Sequence, residues 1–358
     1  YSRKRFSRSK LRNHRLSRGP LAGTRFTPPP APRRTSILLL CPAVAGVPTG
    51  NRTTALRWAA HWRALGHRVR MRSCDDGAPA ELLVALHAEK CGAALLAAKA
   101  RLPAAGAVLA FGGTELPEAG QAPNYSPIAC AALAAADRIV LRHPEQLRAV
   151  PPELQARTRV IGPAAVPPGP RPAAHELRPE VLMLAHLRAV KEPFTLAAAM
   201  AMLPAASNLR AVHLGAALDA ASRAAAEHLT ATHPRWQWLG LQPRWWARQR
   251  LRHARALVLA SRHEGAPGAV VEAIVQGVPV LASDIPANRA LLGESWPALF
   301  PVGDAAALAR LLQRLEHDAA WTAELNRQLT ERAPRFAPAA ERTAWHHLIT
   351  ELTAPGSL

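Results

Sequence analysis

Ser261-Arg262-His263-Glu264-Gly265-Ala266-Pro267-Gly268-Ala269-Val270-Val271-Glu272-Ala273-Ile274 carries two glutamates eight positions apart. An apolar run from Ala256 to Ala260 precedes it, so Glu264 closes a strand and stands in the loop that opens a helix, while Glu272 falls about two helical turns later. Upstream, the apolar run Val181-Leu182-Met183-Leu184-Ala185 feeds His186-Leu187-Arg188-Ala189-Val190-Lys191, which offers two permanent cations at the carboxyl end of another strand. In an open α/β sheet such strand ends line one crevice, so these cations and carboxylates should converge there. Fixed cations suit a pyrophosphate and paired carboxylates suit diols. Together they suit a sugar nucleotide.

Outward from this stretch, short apolar runs alternate with helical patterns along the chain. Ile37 to Cys41 reads as a buried strand, and Thr53 to Leu65 as an amphipathic helix with Leu56, Ala59, Trp62 and Leu65 near helical spacing, stopped at Gly66. Further strands are expected at Val69–Met71, Leu82–Leu86, Ala107–Phe111 and Arg138–Leu141, with Val160-Ile161 closing the first series. A second series follows at 181–185, 209–214, 236–239, 256–260, 278–282 and 299–302. Such alternation specifies parallel sheets covered by helices on both faces. The organisation expected is a disordered basic extension over 1–35, a first Rossmann-like domain over 36–162, a proline-rich linker over 163–179 and a second Rossmann-like domain over 180–335. A helix within 336–358 is expected to pack back on the first domain.

The chain has 358 residues and a formal net charge of +20, which raises the question of a polyanion partner. Eleven of those positive charges, with no acid among them, lie in residues 1–35, a segment without apolar periodicity that ends in a run of prolines. Aromatic residues make up only 5% of the chain and no helix-turn-helix, RNA-binding or zinc signature is present, which argues against a nucleic-acid-binding protein, the alternative from another class. No run approaches the ~20 apolar residues of a membrane span. Arg33-Arg34 before Ile37–Cys41 is not expected to make a lipoprotein or twin-arginine signal, because Leu40 stands where a lipoprotein site needs a small residue, the apolar run is short, and a glycine-containing loop then feeds a helix. Four cysteines without paired spacing, Cys41, Cys74, Cys91 and Cys130, suit a reducing cytoplasm and no structural zinc.

The segment Glu264–Val280, with Arg188 and Lys191 before it, resembles the donor-binding half of the GT-B glycosyltransferases of family 4. Gly50-Asn51-Arg52-Thr53-Thr54, Leu86-His87-Ala88, Gly113-Thr114-Glu115-Leu116, His186 to Phe194, Asp284-Ile285-Pro286-Ala287-Asn288 and Phe300 to Asp304 narrow the resemblance to selenosugar synthases of selenoneine biosynthesis. It runs from about Ile37 to the C-terminal region. The fold it implies is GT-B, α/β, with two Rossmann-like domains facing across a cleft. The activity it implies is transfer of a sugar from UDP-N-acetylglucosamine or UDP-glucose to selenophosphate, without a metal or other cofactor. A family 4 enzyme with a conventional hydroxyl acceptor is the alternative within the class.

By this resemblance Arg188 and Lys191 stabilise the leaving pyrophosphate, Glu264 receives sugar hydroxyls and Glu272 the ribose. Gly50, Asn51, Gly265, Ala266, Pro267 and Gly268 complete the donor site. Electrostatic stabilisation of the departing diphosphate needs fixed cations or a metal, and the chain has no Asp-x-Asp motif, since Asp75-Asp76 are adjacent and precede a probable turn at Gly77. Arg52, Thr114 and Glu115 are the acceptor candidates, and His87 is the candidate acid–base or orienting group. Two departures from the subgroup stand out. The loop reads Glu264-Gly265-Ala266-Pro267-Gly268 where Glu-Gly-Gly-Ala-Asn is expected, and proline removes an amide donor. Glu115 replaces the usual Asp.

Overall fold

In the computed structural model the described residues are 34–42, 49–113, 115 and 123–354. The basic segment over 1–33 and Thr114 lie outside them. The first half is built on β1 (Ser36–Leu40), α1 (Gly50–Ala64), β2 (Arg68–Arg72), β3 (Leu82–Leu86), α2 (Ala88–Arg101), β4 (Gly106–Ala110), α3 (Pro127–Ala135), β5 (Arg138–Leu141) and β6 (Thr158–Val160). Its six strands are all parallel, in the order β2-β1-β3-β4-β5-β6. Every residue of β3 and β4 is buried, as expected for strands covered on both faces.

The second half contains β7 (Glu180–Leu184), α4 (Thr195–Ala201), β8 (Arg210–Leu214), α5 (Ala220–Thr232), β9 (Trp236–Trp238), α6 (Arg244–His253), β10 (Ala256–Leu259), α7 (Gly268–Gln276), β11 (Val280–Ser283), α8 (Pro286–Leu292) and β12 (Leu299–Phe300). Its sheet is also parallel, in the order β12-β11-β10-β7-β8-β9. The helices α9 (Ala305–His317), α10 (Ala319–Arg332) and α11 (Pro338–Thr353) follow. Both sheets reverse direction beside their first strand, between β1 and β3 and between β7 and β10. Those switch points are where a doubly wound sheet opens a crevice at its carboxyl edge.

The last helix belongs to the core of the first half. Trp345 of α11 sits edge-on to Trp58 and Trp62 of α1, with ring centroids 4.7 and 4.8 Å apart, a geometry aromatic quadrupoles favour. All three rings are fully buried. Beside them Glu341 of α11, only 3% exposed, accepts from Arg57 Nε at 2.6 Å, Arg57 Nη2 at 3.0 Å and Trp58 Nε1 at 2.9 Å, with His61 Nε2 at 3.1 Å. Burial alone would raise this carboxyl. Its bond to His61 and the charge and bonds of Arg57 outweigh that and bring its pKa down to about 2.

One boundary differs from the sequence reading in a way that matters. α1 begins at Gly50, capped by the Thr49 hydroxyl, which accepts from the Arg52 amide at 3.2 Å. Gly50, Asn51 and Arg52 are therefore the first turn of the helix and not the end of the preceding loop, because Thr49 supplies the side-chain cap that starts the helix.

Candidate active site

The cleft is assembled from strand ends of both halves. After β10, Ser261 is fully buried and its hydroxyl donates to Glu264 Oε1 at 2.8 Å. The Ser283 hydroxyl donates to the Ser261 carbonyl at 2.6 Å, and Asn288 Nδ2 donates to the Ser283 carbonyl at 2.7 Å. This chain of buried bonds fixes the loop that carries Glu264. Hydrogen bonds from behind a site group are what keep it in one geometry.

Lys191 Nζ lies 2.5 Å from the same Glu264 oxygen, so the cation expected after β7 and the carboxylate expected after β10 meet directly. A bond from the Arg262 amide to the Val190 carbonyl, at 2.9 Å, ties the two loops together. Arg262 also pairs with Glu192, a residue in the left-handed region at φ 46°. Arg188 is exposed and extended at the head of the turn Ala189–Lys191.

α7 starts at Gly268 with no side chain capping it, since Pro267 stands at the cap position. An uncapped helix start presents amides suited to an anion. Glu272, one turn on, is held by Arg244 of α6, whose Nη2 is 2.5 Å from Oε1, with Arg248 Nε at 3.9 Å. Glu264 and Glu272 are thus both paired with basic side chains, and a sugar or ribose hydroxyl would share or displace those partners.

Across the cleft, Gly112 and Gly113 follow β4. A side chain on Gly112 would come within 2.9 Å of Asn51 Oδ1 and 3.2 Å of the His87 ring, which places Asn51, His87 and this loop side by side. His87 is 2% exposed and has φ 93°, a conformation that is sterically costly for a non-glycine residue and persists where the surroundings impose it. Burial lowers its pKa, against an opposing pull from Glu115.

Glu115 is turned inward. Its carboxylate accepts from the Gly112 amide at 2.6 Å and the Gly113 amide at 2.7 Å, with the Ala88 amide at 3.4 Å and His87 Nε2 at 3.5 Å. Those backbone amides hold the Glu115 carboxylate turned toward its own loop. Arg52 faces an outer groove shared with Arg57, Arg244, Arg248 and Leu56.

The two halves touch where both loops are glycine. The Gly265 carbonyl accepts from His143 Nε2 at 2.7 Å and Gln146 Nε2 at 3.1 Å, and the Gly113 carbonyl accepts from His263 Nε2 at 3.0 Å. Burial pushes the His143 pKa down to about 4, against the pull of its bond to Gly265, so the ring is neutral above that pH. A small cavity of about 70 Å³ opens beside this contact, lined by Asn51, Thr54, Gly112, Arg142, Ala266 and Glu272 among others.

Sequence reasoning missed Arg142, His143, Gln146 and Arg244. The first three follow β5 at its carboxyl end, and that position was the available signal. Nothing in local sequence singles out Arg244. Among the described residues no group of three or more His, Cys, Asp or Glu is placed to hold a metal ion, and no helix is long and apolar enough to cross a membrane.

Residues 171–336 match the family model of the glycosyl transferases group 1, a stretch running from before β7 to the end of α10 and the turn after it. In solved structures, sucrose-phosphate synthase from Thermosynechococcus elongatus has a TM-score of 0.73 at 19% identity, covering 90% of this chain and 100% of that one. Anabaena HepE in complex with UDP-glucose has a TM-score of 0.71 at 15% identity, covering 88% and 100%. At these identities the likeness is one of fold. A Bacillus subtilis (strain 168) protein, TuaC, named as a glycosyltransferase of teichuronic acid biosynthesis, is 32% identical over 115 residues, which are 32% of this chain. That match spans only 30% of the length of this curated relative. The class is therefore a GT-B fold of two parallel six-stranded sheets. Over its second half the chain matches the model of the glycosyl transferases group 1.

Proposed function

We propose that this protein is a glycosyltransferase that takes a sugar from a UDP-sugar. The observation that carries the reading is the Lys191–Glu264 contact at 2.5 Å, beside the uncapped start of α7 and across from the first turn of α1. Lys191 and Arg188 would neutralise the charge that develops on the departing UDP, with the α7 amides adding to it and no metal required. Glu264 would receive donor sugar hydroxyls and Glu272 the ribose. Gly50, Asn51, Gly265, Ala266, Pro267 and Gly268 would complete the donor site. The family match over 171–336 supports the donor side, with 36–162 as the acceptor domain, 163–179 as linker and 180–335 as the nucleotide-sugar domain.

The acceptor we propose is selenophosphate, giving a selenosugar for selenoneine biosynthesis in the cytoplasm, with UDP-N-acetylglucosamine or UDP-glucose as donor. What supports this finer reading is the resemblance of the Gly50–Thr54, His87, Gly113–Glu115 and Lys191–Phe194 stretches to selenosugar synthases. The bond made is carbon–selenium, the bond broken is the anomeric carbon–oxygen bond to UDP, and UDP leaves as the anion; the first product carries selenium still bonded to phosphorus, and hydrolysis of that selenium–phosphorus bond by water releases phosphate and the selenosugar. Selenium attacks as a polarisable anion and needs aim more than deprotonation. Arg52 and Thr114 would therefore assist by charge and orientation, with Glu115 and His87 setting the loop. Mass spectrometry of the product formed from selenophosphate and a panel of UDP-sugars tests this. A selenosugar mass with release of UDP is expected. UDP release with a simple alcohol or amino sugar but not with selenophosphate would leave the conventional hydroxyl-acceptor enzyme.

A further inference from the structure

Arg142 is a buried cation that makes no ion pair with a carboxylate among the described residues. It follows β5 and is 4% exposed. Its guanidinium packs 5.3 Å from the centroid of the Trp58 ring, Nη1 reaches Thr54 Oγ1 only at 3.5 Å, and Nε has no hydrogen-bond partner. Glu341, which is close enough to be felt, is already engaged by Arg57, Trp58 and His61. Burial lowers the Arg142 pKa to about 10, which still leaves it charged at neutral pH. An unpaired charge in such surroundings is strongly unfavourable unless a ligand compensates it.

The place it lines shows what that ligand would be. The cavity of about 70 Å³ has Arg142 on one wall and Asn51, Thr53 and Thr54 from the first turns of α1 on another. Gly112, Ala266 and Gly268 also line it, so the start of α7 faces the same space, and Arg57, Arg244 and Glu272 complete the charged lining, with the Glu272 carboxylate already paired with Arg244. At about 10–15 Å³ of such space for one water it has room for several waters, and so for a tetrahedral oxyanion. A 15-residue helix start, a fork of guanidinium donors and a hydroxyl all favour negative charge.

We propose that Arg142, with Thr54 and the first turn of α1, forms a subsite for a phosphoryl oxyanion. The identity of that phosphoryl group rests on the function proposed above: it is either part of the donor pyrophosphate or the phosphoryl end of selenophosphate. Arg52, one turn away on the outer groove, does not line this cavity.

The test is equilibrium binding of inorganic phosphate to the full chain, by calorimetry and thermal shift, with and without saturating UDP. Wild type should bind phosphate, and Arg142→Met should lose about 10- to 100-fold in affinity, the range for a hydrogen bond to a charged group. Its ligand-free Tm should hold or rise, because an uncompensated buried charge is gone. A merely structural arginine would instead lower it. Phosphate that binds equally well with UDP present places the subsite on the acceptor side, and competition with UDP places it on the donor pyrophosphate. With the loss of affinity in Arg142→Met, either result supports the subsite, and the weakened binding that remains in the variant is phosphate at Arg188 and Lys191. Wild type that ignores phosphate, or an Arg142→Met protein that binds it unchanged, overturns the proposal. If Arg142→Met does not fold, Arg142→Lys and Thr54→Val decide. Phosphate affinity equal to wild type in both overturns the proposal, and a several-fold loss in either sustains it. No step of the assay needs turnover, so its failure is distinct from the failure of the glycosyltransferase reading.

Discussion

Gly265→Ala probes the glycine contact between the loops after β4 and β10. A β-carbon at that position would stand 2.2 Å from Gly113 Cα, 3.0 Å from Gly113 N and 3.1 Å from the Gly112 carbonyl oxygen. Carbon atoms rest at about 3.5 Å or more, so the loops after β4 and β10 must separate by roughly 1.3 Å. Both neighbours are backbone and cannot rotate aside. The separation strains the bonds that His143 and Gln146 make to the Gly265 carbonyl, each about 1 kcal/mol. Overpacking of this kind costs about 1–3 kcal/mol. The buried Glu341 network and the Trp345 cluster remain to hold α11 on the first half, so the chain should stay folded and open at this rim. A misplacement of about 1 Å at reacting groups costs on the order of 10²-fold in rate. We therefore expect kcat/KM, followed as UDP release, to fall about 10²-fold while urea unfolding shows a loss within the overpacking range. Gly162→Ala is the control, because its added carbon meets only the Arg142 carbonyl at 3.9 Å, an ordinary contact. Wild-type turnover by Gly265→Ala would refute the idea that this glycine contact sets the catalytic geometry.

Lys191→Ala or Arg188→Ala should reduce turnover by about 10²-fold or more, with activity surviving EDTA; a requirement for added Mn²⁺ or Mg²⁺ would remove the cation-clamp assignment. Glu272→Ala should raise the donor KM with little change in kcat, as loss of ground-state binding does, and an unchanged KM would leave Glu272 as a structural partner of Arg244. Because the Glu341 pKa is depressed to about 2 in the folded chain, its contribution is present above its ordinary value of 4.5 and is lost as pH falls from there through about 2. The shift corresponds to about 3 kcal/mol, so Glu341→Gln should be destabilised by about that much at pH 7 and by progressively less below pH 4.5, read from urea midpoints across pH. His87→Ala should change the selenophosphate rate only slightly but a hydroxyl-acceptor rate by about 10²–10⁴-fold, a split measured with the two acceptors side by side.

The alternation of apolar runs was enough to read two series of parallel strands, because a strand buried on both faces must be apolar throughout and each crossover must be long. Runs such as Leu82–Leu86 and Arg138–Leu141 coincide with strands of the structure to the residue. Gly50–Arg52 was misread because the Thr49 cap that starts α1 is a single hydroxyl with no periodicity to reveal it. Lys191 and Glu264 could be placed in one crevice from sequence, since each follows a strand and strand ends share an edge. Their direct contact, and the pairing of Glu272 with Arg244, required the loops to be folded. The inward turn of Glu115 onto the Gly112 and Gly113 amides is likewise a matter of loop geometry. Arg142 shows the limit most plainly. In the sequence it is one of forty arginines, and only the tertiary structure surrounds it with Trp58, Thr54 and the starts of two helices while no acid among the described residues forms an ion pair with it. Local pattern sets which segments become strands and helices. Burial and the pairing of charge depend on residues from separate segments, and those meet only when both sheets are in place.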